Sequence, residues 1–93
     1  MYIWIVKDGF GENLDYFATA EGAYSFMESE IDRWNDEYPL DIPDSLAFVF
    51  KKRLYNDFKE NNSCFKAGDC FKVGEYGADM DWCLKAIRVE VKE

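Results

Sequence analysis

The chain is predicted to fold as an α+β domain: a small antiparallel sheet in ββααββ order with two helices packed on one face. Three observations carry this. Residues 2–7 are a run of aromatic and β-branched side chains followed by a glycine-bearing turn. Two apolar patterns with steps of three and four follow, over residues 19–38 and 43–60. The last third returns to strand alternation, over residues 70–76 and 82–92. Ninety-three residues suit one domain, 1–93, with a single core.

Residues 2–7 favour a strand. Tyr2, Trp4 and Val6 lie on one face and Ile3 and Ile5 on the other. Apolar residues on both faces predict a central strand covered on both sides. Residues 8–13, DGFGEN, are turn chemistry. They lead to a second strand over 14–18, so a hairpin feeds the first helix. Asp8, Glu12, Asn13 and Asp15 do not have the spacing of an EF-hand loop, so no metal is expected there.

Thr19 is placed to cap the first helix, and Glu21 lies near its positive end. Tyr24, Met27, Ile31, Trp34 and Tyr38 fall within an arc of about 80°. Pro39 ends the pattern, because the residue before proline is pushed out of the helical region. On one flank Glu30, Arg33 and Glu37 are spaced to pair. On the other, Glu21, Glu28, Asp32 and Asp36 line up with no base in reach on the same helix. This acidic ridge is either a solvated face, a surface for a basic partner, or a set of carboxylates paired with bases elsewhere in the chain.

Pro43 opens a second helix, with Leu46, Phe50, Leu54 and Phe58 at steps of four. Phe48 and Tyr55 widen its apolar arc to roughly 200°, beyond a one-sided surface helix. Coverage by the chain's own domain is the expectation; a contact with another molecule is the alternative. In the last strand the alternation Trp82, Leu84, Ala86 changes phase to Ile87, Val89, Val91, predicting a bulge between Ala86 and Ile87. The expected core is Trp4, Val6, Phe17, Tyr24, Met27, Ile31, Trp34, Leu46, Phe50, Leu54, Phe58, Phe71, Leu84 and Val89.

Net charge is −8, and it is unevenly placed. Residues 1–45 hold 11 acids and two bases (−9); residues 46–93 hold eight acids and nine bases (+1). Direct nucleic-acid binding is disfavoured, since that needs a basic surface. A basic protein partner is the natural counterpart. There is no histidine, which removes the usual general base. Cys64, Cys70 and Cys83 lack the paired short spacing of a zinc site. Their odd number suits reduced thiols in the cytoplasm. No cofactor, metal, membrane segment or catalytic set is expected.

These readings lead to a non-enzymatic acidic protein-interaction domain. Its sharper form is an inhibitor or decoy that occupies a basic, nucleic-acid-binding surface of a partner. In size and charge alone the chain is similar to small acidic phage proteins such as anti-CRISPR inhibitors. The expected contact residues are Glu21, Glu28, Asp32 and Asp36, joined by Glu12, Asp15, Asp41 and Asp44. All would have to share a surface. Carboxylates at i,i+4 repeat every ~6 Å, whereas duplex DNA has one charge per ~1.7 Å. The alternative is a self-associating accessory domain, a homodimer through Phe26, Phe48 and Tyr55.

Overall fold

Two strands joined by a tight turn open the fold: β1 (Tyr2–Asp8) and β2 (Asn13–Phe17). Gly11 takes φ 82°, a backbone state that favours glycine. Asp8 closes the turn: its N–H donates to Glu12 O at 3.0 Å, and its Oδ1 accepts the Glu12 N–H at 3.0 Å. The structure, a computed structural model, describes residues 1–9, 11–60, 64–67, 71–73, 80–82 and 84–92. For 71–73 and 80–82 it describes the backbone. The elements that follow are α1 (Ala20–Glu37), α2 (Asp44–Glu60), β3 (Cys64–Lys66), β4 (Phe71–Val73), β5 (Met80–Trp82) and β6 (Leu84–Glu90).

Thr19 caps α1 as its sequence predicts, with extended backbone and its hydroxyl accepting the Gly22 N–H at 3.1 Å. A Cβ on Gly22 would lie 3.2 Å from that hydroxyl oxygen and 3.3 Å from the Phe17 ring. Glycine therefore lets β2 turn into the helix at close quarters. Thr19→Ala is expected to cost about 1 kcal/mol, read as a lowered urea midpoint at unchanged slope. At the other end the Tyr38 N–H donates to Trp34 O at 2.8 Å. Tyr38 O then accepts from Asp41 and Ile42, and the buried Ile42 side chain anchors the link to α2.

The two helices run antiparallel. Tyr24 stacks on Phe58 at 4.7 Å between ring centroids, Asp32 pairs with Lys51, and Asn35 donates to Asp44. Together they cover one face of a four-stranded antiparallel sheet in the order β2-β1-β6-β3. Val6, Ala86 and Phe65 lie side by side across it, all fully buried. With Ala23, Met27 and Ile31 of α1 and Ala47, Phe50 and Leu54 of α2 they form the core. The fold is α+β with two helices on one face.

Side chains alternate across a strand, so the neighbours of that row point away from the helices: Ile5, Ile87 and Cys64, with Ile3 and Val89 beyond. Here the expectation for β1 is corrected. The strand is central, but helices cover only one side, and no described element packs on the other. The bulge expected between Ala86 and Ile87 is absent: β6 pairs with β1 in unbroken register from Glu90 to Leu84. Leu84 and Ala86 face the core while Ile87 and Val89 face outward. The phase change therefore records apolar residues on both faces, not an extra residue. Val89, expected in the core, is 37% exposed for the same reason. A register shift does occur, between Val6 and Lys7 against β2.

The strand at β3 was not predicted. Of the strand predicted over 70–76, residues 71–73 are observed as β4, paired with β5 in a separate two-stranded ribbon; residues 70 and 74–76 lie outside the described residues. On both outer strands of the main sheet a carboxylate, from α2 at β3 and from the strand itself at β2, accepts one backbone donor. Asp57 Oδ2 accepts the Lys66 N–H at 2.8 Å, and Asp15 Oδ1 accepts the Tyr16 N–H at 2.7 Å. Expectations for Cys70, Cys83 and the Phe71 side chain lie outside the described residues.

Candidate interaction surface

At 100° per residue, Glu21, Glu28, Asp32 and Asp36 follow one line along α1. The structure turns that line toward α2. Glu28, half-buried, accepts the Tyr24 hydroxyl at 3.1 Å. Asp32 Oδ1 accepts from Lys51 Nζ at 2.8 Å. Glu21 and Asp36 are exposed. Asp44 is exposed at the far end of the same groove and accepts from Asn35 Nδ2 at 2.9 Å. Asp41 is half-buried in the link between the helices. Glu12 and Asp15 are exposed on other elements, the β1–β2 turn and β2, where their backbone and side-chain bonds serve the hairpin.

Three of the six α1 acids thus meet a base of the same chain: Asp32 through Lys51, and Glu30 and Glu37 through Arg33 at 2.8 and 3.4 Å. Such surface pairs are worth about 0–1 kcal/mol each. Their effect is to lower the field of the ridge rather than to hold the fold. The pairing across the helices follows a simple rule once one facing pair is known. In an antiparallel helix hairpin, facing residues have nearly constant summed numbers. Here Tyr24–Tyr55, Asp32–Lys51 and Asn35–Asp44 all sum to about 80.

The same groove carries aromatics. Phe48 is 68% exposed and Tyr55 48% exposed, so the expectation that the domain covers them internally is overturned. Tyr55 contacts Tyr24 edge-on at 6.5 Å and lies under Lys59 Nζ at 5.1 Å. Phe26 is different: it is half-buried and packs on Phe17 at 5.3 Å, part of the interior. The upper surface of the helix pair therefore presents an acidic line on α1 beside an aromatic line on α2.

Two groups in this groove set an alkaline limit. Burial, then the hydrogen bond to Glu28, raises the Tyr24 phenol above its ordinary pKa. The hydrogen bond to Asp32 raises the Lys51 ammonium. Each is held protonated more tightly when folded. Their contribution is complete at neutral pH and is lost as pH rises beyond about 10. Stability should fall over that range, and Tyr24→Phe should make the fall shallower, as measured by urea titrations at stepped pH.

A second concavity, of about 470 Å³, runs between α2 and the edge of β3 and is lined by Val49, Lys52, Arg53, Asn56, Asp57, Glu60 and Lys66. Its walls mix both signs of charge. Among the described residues no group of three or more Cys, Asp or Glu is placed to hold a metal ion. Among them, too, no helix is long and apolar enough to cross a membrane.

The fold and this surface define a small α+β domain with a mixed acidic and aromatic helical face. Comparison with protein-family models, with curated proteins and with solved structures finds no match.

Proposed function

We propose that the chain is a non-enzymatic protein-interaction domain whose helical face meets a basic partner. Phe48 and Tyr55 act as apolar anchors, and Glu21, Glu28, Asp32 and Asp36 form an acidic rim. The observation that carries the reading is Phe48, a phenylalanine 68% exposed and, at 100° per residue, about 60° around α2 from Lys51, the residue that bonds Asp32. Buried aromatics dominate contact energies, while rim charges select and steer the partner. The sharper form is an inhibitor or decoy on a nucleic-acid-binding surface, in the manner of the anti-CRISPR proteins. It asks for a stronger field than a ridge partly answered by Lys51 and Arg33 supplies. The broader form needs only local complementarity.

Glu28 and Asp32 bond to Tyr24 and Lys51, so reversing their charge would also disturb the helix pair. Glu21→Lys with Asp36→Lys, at exposed positions, is the cleaner test. Wild-type protein should retain a defined set of basic proteins from lysate at low salt and release them at high salt. The double variant and Phe48→Ser should lose that set. Identical retention by all three would end the reading.

A further inference from the structure

We propose that the sheet face turned away from the helices receives the helical face of a second copy, so that copies associate head to tail. The proposal depends on the preceding reading for one of its two surfaces. The other surface is new. Pairing register places three rows across it. Tyr16, Ile5, Ile87 and Cys64 form one row, and Ile3 and Val89 a second. Lys7 and Lys85 form the third.

Each row says something about the occupant. Both central strands are apolar on the outward side as well as the inward one. That is the pattern of strands covered on two faces, and the described elements supply a cover for one. The lysine row sets like charges on neighbouring strands, which is locally unfavourable. The same row is complementary to carboxylates, and the chain concentrates its carboxylates on α1.

The spacings agree. Lys7 and Lys85, on adjacent strands, stand about 4.8 Å apart. Asp32 and Asp36 stand about 6 Å apart along α1, a matching step. The nearest apolar row lies two residues along, about 7 Å from the lysines. Packed helices have axes about 8–10 Å apart, and Phe48 and Tyr55 lie on the side of α2 facing α1. Laying the α1 acids on the lysines therefore sets the α2 aromatics on the apolar row. The result is helices on both faces of the sheet, a stable layering. The contact is heterologous, so it propagates instead of closing.

The test is complementation by analytical ultracentrifugation. One variant carries Lys7→Glu and Lys85→Glu on the sheet face; the other carries Asp36→Lys and Phe48→Ser on the helical face. Unchanged circular dichroism shows that each folds. Wild type should form dimers and larger species as concentration rises and dissociate in high salt. Each variant alone should associate at least ~10-fold more weakly. Their equimolar mixture should form a heterodimer and nothing larger, because each supplies the face the other lacks.

Four results would overturn the proposal: a monomeric wild type, a mixture that stays monomeric, a sheet variant that associates like wild type, or a helical variant that does. The third would mean a helix-to-helix dimer and the fourth a sheet-to-sheet one. The sheet variant keeps its helical face, so its retention of basic proteins judges the earlier reading separately.

Discussion

Phe65→Ala is expected to destabilise the domain by about 3–5 kcal/mol, a large part of what a domain of this size possesses. Phe65 is fully buried, in register with Ala86, and meets the Phe58 ring at 5.2 Å and 76°. It is the middle residue of a three-residue strand. That strand joins α2 to the sheet through this ring and through the Asp57 carboxylate. Truncation would leave a cavity at that junction, where the short strand has little else with which to collapse into it. Urea denaturation would show a lower midpoint, and thermal unfolding a fall of well over 10 °C. A loss below about 1 kcal/mol would mean that β3 is not a pillar of the core.

Ala86→Leu is expected to cost about 1–3 kcal/mol or more through overpacking. Ala86 is fully buried between Val6 and Phe65, and the helices lie over that row. Three extra carbons there have to displace a ring or lift a helix. Because Phe65 and Ala86 touch, the combination Phe65→Val with Ala86→Leu should be milder than the sum of its parts. A coupling of about 0.5–3 kcal/mol is typical of contacting residues. Strict additivity in the double-mutant cycle would show that the two side chains do not share space.

The small residues explain what the sequence left hidden. Periodicity makes Met27, Ile31, Phe50 and Leu54 legible as interior, because large apolar side chains at helical spacing have one place to go. Ala23, Ala47, Ala67 and Ala86 are equally buried, yet alanine is common on surfaces and carries little pattern. Phe65 was missed because β3 is too short to alternate. The helix cap at Thr19, the stop before Pro39 and the opening hairpin were legible, since each depends on chemistry within a few residues. The acidic line was legible as a line. Its bond to Lys51 becomes legible only once one facing pair fixes the helix register, because that register decides which residue of α2 faces Asp32. The exposed positions of Phe48 and Tyr55 were misjudged for a related reason. An apolar arc gives the width of a stripe, not what finally lies against it.

Two carboxylates, Asp57 of α2 and Asp15 of β2, bear on how copies can meet. Asp57 and Asp15 each occupy a main-chain donor that an incoming strand would need. A neighbouring molecule cannot simply extend the ladder by adding its own strand there, the route by which open sheets grow into fibrils. Each of these bonds makes lateral growth at its rim less favourable, so the assembly proposed above, which stacks layer on layer, would take its register from side chains rather than from backbone.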